Sequence, residues 1–176
     1  LLTQIYQELQ DVLQVTLLYG LTQPLATFPT EAEPQSVLVI DQDVYVLDAG
    51  QGEIVKYRMD ADGETLAEAE GETILRTGDV INGVEVGPIL DLAWQLPIPG
   101  YVDKSNLLVL DSNNRVFRYN QVDGAQLLSF GDPANWTRVN QLEVYLDRLY
   151  ASDDSANQIY RYAPGEYQDP PTPWFQ

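Results

Sequence analysis

The sequence predicts an all-β fold made of a repeated unit, preceded by one short α-helix. The first observation is an apolar run closed by an aspartate, which occurs at residues 44–48, 107–111 and 149–153. The second is a run of one aliphatic, one bulky and one basic residue followed by tyrosine, at residues 54–57, 116–119 and 159–162. The third is the turn rich in Gly, Asn or Ser that joins the two runs. A pattern kept in three copies indicates a structural unit stacked on copies of itself.

Residues 1–14 predict an amphipathic helix, because their apolar side chains recur at helical spacing. The apolar positions are Leu2, Ile5, Tyr6, Leu9, Val12 and Leu13. Two alternatives stay open: the helix packs on the β domain or is the tail of a helical spacer, or it is a coiled-coil or partner helix. Residues 15–35 follow as short strands and an acidic, proline-bearing linker, and they are a candidate part of a further unit.

Residues 36–176 consist of short apolar runs separated by turn residues, which predicts β-strands throughout. Inner strands are expected at 37–40, 89–94 and 142–146, and outer strands at 73–76 and 125–130. Four antiparallel strands per unit are typical of a β-propeller blade. The fold prediction is therefore a partial β-propeller of about three four-stranded blades, at 36–88, 89–136 and 137–176, with an extended surface tail at 164–176. Closed propellers have about four to eight blades, so we expect the missing blades to come from the rest of a longer chain.

One stretch resembles a known repeat. Residues 108–119 read Leu-Val-Leu-Asp-Ser-Asn-Asn-Arg-Val-Phe-Arg-Tyr and are similar to the NHL-type repeat of six-bladed β-propellers, which pairs a "V-x-D" strand end with an Asn-x-Arg turn. The likeness covers about residues 36–165, and Ser152 and Gln158 depart from it in the third unit. It implies a platform for proteins, RNA or ligands, or one of a few enzymes. The order of helix, propeller and Pro-rich tail also resembles outer domains of bacterial membrane-anchored proteins, which implies an extracytoplasmic or cell-surface location.

The composition excludes several classes of partner and chemistry. A formal net charge of -18 over 176 residues repels phosphate backbones and anionic lipid headgroups, which argues against nucleic acid and membrane surfaces. Two interpretations of the charge stay open, a solvated surface or a surface that attracts cations and basic partners. The chain has no Cys and no His, so Ser–His and Cys–His catalysis are excluded. No apolar run approaches the roughly 18 residues of a membrane-spanning helix.

Three aspartates recur at the end of the second strand of each unit, and they are the candidate metal ligands: Asp48, Asp111 and Asp153. A ring of carboxylates on one face would bind a divalent cation, and the resemblance implies such an ion in the lactone hydrolases among six-bladed propellers. The alternative is that each aspartate accepts backbone hydrogen bonds and fixes its own hairpin. Repetition in every unit favours the hairpin role, because a site needs unlike groups and a fold repeats like ones.

The loops between units are the candidate ligand-binding face. One loop offers Asp132, Asn135 and Trp136, with the tryptophan expected to be exposed, and the other offers Asp79 and Asn82. The predicted function is a non-catalytic binding or scaffold module, without a cofactor, that presents this face to a protein, peptide or glycan. The alternatives are a metal-dependent, lactonase-like hydrolase and a structural spacer domain.

Overall fold

The computed structural model describes residues 24–61, 63–131 and 135–175. Within these ranges every regular element is a β-strand and no α-helix occurs, so the all-β prediction is confirmed for the described residues. The helix predicted at 1–14, residues 15–23 of the segment predicted as short strands and linker, and the candidate ligand residue Asp132 lie outside the described residues. Residues 24–33 of that segment are described and form no strand.

The strands form three antiparallel sheets in which neighbours along the chain pair with each other. Sheet I consists of β1 (Pro34–Ile40), β2 (Asp43–Asp48), β3 (Glu53–Arg58) and β4 (Glu72–Arg76). A small hairpin of β5 (Val80–Ile81) and β6 (Val84–Glu85) follows. Sheet II consists of β7 (Ile89–Gln95), β8 (Asn106–Asp111), β9 (Val116–Asn120) and β10 (Gly124–Leu127). Sheet III consists of β11 (Val139–Tyr145), β12 (Arg148–Asp153), β13 (Gln158–Arg161) and β14 (Thr172–Pro173).

Sheet II lies between the other two sheets, and the burial of its strands reflects this position. All six residues of β8 are buried, as expected for a strand that is covered on both faces. One apolar cluster joins sheets I and II and includes Leu47 and Ile54 from sheet I and Phe117 from sheet II. A second cluster joins sheets II and III and includes Leu108 and Leu149. The first strands adjoin each other, since β7 contacts both β1 and β11.

The first strand of each sheet carries the same irregularity. Its register with the second strand shifts between residues 34 and 36 in β1, 89 and 91 in β7, and 139 and 141 in β11. In each case the residue before the shift pairs with the closing aspartate, so one extra residue is inserted opposite that aspartate. The three sheets therefore share their register as well as their sequence pattern, and equivalent positions can be assigned between them.

The tail differs from its prediction. Tyr167 is buried, and its carbonyl accepts a hydrogen bond from the Gly131 amide (3.0 Å). Residues 172–173 then form β14 at the edge of sheet III. The expectation that the whole tail lies on the surface is wrong at Tyr167, because this ring packs on Phe130 in the second apolar cluster.

Candidate ligand-binding groove between the first strands

The closing aspartate of sheet II is part of the scaffold. Asp111 is fully buried, and its Oδ1 accepts hydrogen bonds from the amides of Asn113 and Arg115, both at 2.9 Å. Its Oδ2 accepts one from the amide of Gly87 at 2.9 Å and lies 3.2 Å from the Arg115 Nε. The first pair of bonds fixes the turn after β8, and the bond to Gly87 ties that turn to the loop that enters β7.

The other two closing aspartates have the same bonding pattern. Asp48 accepts from the amides of Gln51 in its own turn (3.1 Å) and Glu33 just before β1 (2.8 Å). Asp153 accepts from two amides of its own turn and from those of Thr137 (2.6 Å) and Arg138 (3.0 Å) just before β11. We call this repeated arrangement the aspartate clasp. The carboxylates bond to separate sets of backbone amides, and no group of three or more acidic side chains arranged to hold a metal ion occurs within the described ranges.

Trp136 is not an exposed contact residue, which corrects the sequence prediction. Only 5% of its surface is exposed, and its ring lies 5.2 Å from that of Phe130 and 6.1 Å from that of Tyr162. A tryptophan preceded by a polar loop looks exposed in the sequence. The partners that bury it are distant in sequence and become neighbours only when sheets II and III pack together.

The other loop residues that we predicted as ligand contacts have structural partners. The Oδ1 of Asn82 accepts a hydrogen bond from the Leu127 amide (2.9 Å), which fastens the β5–β6 hairpin to β10. Asp79 accepts one from the Arg76 amide (2.7 Å) at the end of β4. Asn135 is exposed, and its backbone carbonyl accepts a hydrogen bond from the Tyr160 hydroxyl (2.8 Å). These contacts place the two loops against different strands, and each fixes the path of its own loop.

A groove of about 450 Å³ lies where the first strands of the three sheets come together. Its polar lining is formed by Ser36, Asp91, Gln141, Glu143, Tyr150 and Ser152. Leu38, Leu92, Leu142 and Ile159 complete the lining. It takes residues from β1, β7 and β11 at once, so it exists only where all three sheets are in place.

Three of these polar residues occupy the same position of the repeat. Ser36 pairs with Leu47, Asp91 with Leu110 and Gln141 with Ser152, and in each sheet this pair directly follows the inserted residue of the first strand. The equivalent position thus carries a hydroxyl in sheet I, a carboxylate in sheet II and an amide in sheet III, and all three side chains line one groove. The clasps show the opposite pattern, in which an aspartate is repeated unchanged. Convergence of unlike polar groups is what a binding site requires.

Asp91 is the acidic side chain of the groove that a hydrogen bond from the backbone holds in place. Its Oδ2 accepts a hydrogen bond from the Leu142 amide (2.8 Å), so the side chain connects sheet II to sheet III. Burial raises the pKa of Asp91, while the hydrogen bonds from the amides of Leu142 and Leu92 act in the opposite direction. Asp91 and Glu143 form no ion pair with any side chain of the described ranges. The groove therefore offers two carboxylates that no neighbouring cation neutralises.

An aromatic patch adjoins the groove on sheet III. The Tyr150 ring, which lines the groove, lies 5.7 Å from that of Trp174 in an edge-to-face arrangement. The Trp174 side chain is 53% exposed, and the guanidinium of Arg161 lies 5.4 Å from its ring centre. Carboxylates, amide and hydroxyl groups next to aromatic faces form a surface suited to ammonium or guanidinium groups.

Sequence reasoning missed this groove, although one signal was available. A charged residue in the middle of the apolar strand Ile89–Gln95 is unusual, and Asp91 was that residue. Ser36 and Gln141 gave no signal, because their equivalence to Asp91 depends on the inserted residues in the first strands.

A second depression, of about 190 Å³, lies beside the exposed ring of Tyr101. The polar side chains near it bond to one another: Asn120 donates to the side chains of Asn106 (2.9 Å) and Asp123 (3.1 Å), and Lys104 donates to Asp123 (2.8 Å). These groups hold the loops together, and the groove between the first strands is therefore the stronger candidate site.

No protein-family model and no curated protein sequence matches the chain. Among the described residues there is no helix that is long and apolar enough to span a membrane.

Proposed function

We propose that the chain is a non-catalytic binding module, a partial β-propeller whose groove receives a basic side chain of a protein or peptide partner. The shared register, the packing of sheet on sheet and the adjoining first strands support the assignment of the three sheets as blades. The observation that carries the function is the convergence of Ser36, Asp91 and Gln141, equivalent positions with unlike polar side chains, on one groove.

The charge of the groove and of the whole chain favours a cationic occupant. Asp91 and Glu143 are acidic side chains of the groove, and the surrounding molecule has a formal net charge of -18. A field of this sign attracts basic groups from a distance and repels acidic ones. Tyr150 provides an aromatic ring next to Glu143, its cross-strand partner, which suits lysine or arginine side chains in an extended peptide.

The test uses short synthetic peptides that alternate serine with lysine, with arginine or with glutamate. Titrations are followed by NMR chemical shifts at about 50 mM and about 300 mM salt, because screening separates attraction at a distance from direct contact. We expect the lysine or arginine peptide to shift signals of Ser36, Asp91, Gln141 and Tyr150, and the glutamate peptide to shift none. Equal binding of all three peptides, or shifts spread over the whole surface, would show that the groove is not the site.

A matched pair of variants separates the site from the overall charge. Asp91→Asn and Glu85→Gln each remove one negative charge, and Glu85 is exposed on the β5–β6 hairpin away from the groove. We expect Asp91→Asn to weaken binding of the basic peptide about tenfold or more, equivalent to about 1.4 kcal/mol, and Glu85→Gln to leave it nearly unchanged. Equal effects of the two changes would mean that only net charge matters.

The pH dependence gives an independent measurement. Because burial raises the pKa of Asp91, this group takes up its proton at a higher pH than an exposed aspartate, whose ordinary pKa is 3.8. Binding should therefore weaken as the pH falls through the raised pKa, and this step should be missing in Asp91→Asn. The contribution of Asp91 to stability has the opposite sign. The folded state binds the proton more tightly than the unfolded state, so the free energy of unfolding rises as the pH falls from the raised pKa towards 3.8.

A further inference from the structure

The outward face of sheet I is apolar and incompletely covered. Val37 and Val39 of β1 are 56% and 54% exposed, although both point to the same side of the sheet as the buried Val46 and Val44, their cross-strand partners. Tyr57 of β3 is the cross-strand partner of Val44, so its side chain lies on the same face of the sheet. These side chains line an open depression of about 610 Å³. Contiguous apolar surface of this kind is normally covered in a soluble protein.

The chain itself begins to cover this face. Pro24, Leu25, Ala26 and Phe28 line the depression, and the Phe28 ring lies 6.3 Å from that of Tyr57, edge to face. Leu25 is still 51% exposed, so the cover is incomplete where the described residues begin. Pro24, the first of the described residues, therefore already lines the depression.

The opposite end of the stack has a mixed character. The corresponding open side of sheet III carries the exposed polar side chains of Gln141 and Glu143 beside the rings of Tyr145, Tyr150 and Trp174. Polar groups interrupt the aromatic ones there, whereas Val37 and Val39 of sheet I have only apolar neighbours in the depression. The outward face of sheet I is therefore the more uniformly apolar of the two.

We infer that residues 1–23 of the same chain cover the outward face of sheet I. The preceding sequence supplies complementary apolar side chains, with Leu2, Ile5, Leu9 and Leu13 at helical spacing and Leu17, Leu18 and Leu21 nearer to residue 24 in the sequence. A segment joined to residue 24 meets the face at an effective concentration in the mM range, without the entropic cost of bringing two molecules together. A second copy of the chain is the weaker occupant, since two molecules that each carry a net charge of -18 repel each other.

Thiol labelling tests this inference in the full chain, which contains no cysteine of its own. Val39→Cys places the only thiol on the proposed contact face, and Val122→Cys places it on an exposed turn (76% exposed) as the control. If residues 1–23 cover the face, the cysteine at position 39 should react with a maleimide about tenfold or more slowly than the one at position 122. Val37→Cys serves as a second reporter if the first variant does not fold.

A second change identifies the occupant. Leu9→Glu combined with Leu17→Glu places charges on the apolar side of the segment, and we expect it to restore fast labelling of the cysteine at position 39. Equal labelling rates at positions 39 and 122 in the original background would overturn the inference. Slow labelling that survives the two glutamates would also overturn it. Protection that disappears on dilution would assign the face to a second copy instead.

Discussion

At the scale of single residues, the position that is an aspartate in all three sheets stabilises the turns, and the position that differs between the sheets lines the candidate site. The clasp aspartates could be anticipated from the sequence, because each follows an apolar run and precedes a turn. Their bonds to Glu33, Gly87 and Thr137 could not, since those partners lie 15, 24 and 16 residues earlier in the chain. The groove residues were hidden for a related reason. Only the inserted residue in each first strand makes Ser36 and Gln141 equivalent to Asp91.

The clasp of sheet II predicts a large difference between two aspartates. Asp111→Ala removes a fully buried carboxylate and leaves three backbone amides without their acceptor, and we expect a loss of about 3 kcal/mol in the free energy of unfolding. The control is Asp154→Ala, which removes an exposed, solvent-screened ion pair with Arg138 and should change the free energy of unfolding far less than Asp111→Ala does. Urea denaturation measures both. Comparable losses in the two variants would mean that the clasp does not stabilise the fold.

At the scale of elements, the strands were predictable and the loops between sheets were not. Short apolar runs bounded by turn residues located the inner and middle strands, since each run must bury one or both faces. The β5–β6 hairpin was missed although Asn82 and Gly83 form its turn with φ of 50° and 79°, which is the strongest short-range hairpin signal. Its strands have two residues each, too few to show any alternation.

The aromatic cluster between sheets II and III predicts different roles for two tryptophans. Trp136→Ala opens a cavity among Phe130, Tyr162 and their neighbours, and we expect a loss of about 3–5 kcal/mol in stability. Trp174→Ala removes a half-exposed ring at the edge of sheet III and should cost about 1 kcal/mol or less. Thermal or urea unfolding distinguishes the two. A mild effect of Trp136→Ala would show that this aromatic cluster contributes little to the packing of sheets II and III.

At the scale of the whole molecule, the repeat determined the number of sheets and the charge determines the solution behaviour. Three copies of one pattern gave three four-stranded sheets, because each copy supplies strands that pair with their neighbours along the chain. The order in which the sheets pack was not visible. The packing order depends on which sheet has two apolar faces, as sheet II does at β8. The sequence of a single strand shows only in part whether both of its faces are buried.

The excess of 27 acidic over 9 basic side chains predicts that salt stabilises the fold. Like charges repel more strongly when the chain is compact, and dissolved ions screen this repulsion over about 10 Å at 0.1 M. We expect the Tm to rise by about 3 °C or more between about 20 mM and about 300 mM sodium chloride, which corresponds to about 1 kcal/mol. Most of the rise should occur at the low end of this range. A Tm that is flat or falls there would show that the carboxylates are too well dispersed to repel.

The aspartate clasp also bears on the order of events in folding. Each clasp closes a loop of only 15 to 24 residues, and each sheet pairs strands that are neighbours in sequence, so a sheet can form from local encounters alone. Docking of one sheet on the next requires contacts between more distant parts of the chain, so we expect it to come later. Since the groove takes side chains from β1, β7 and β11, it is completed only in that last step. A folding intermediate with well-formed sheets would still be unable to bind.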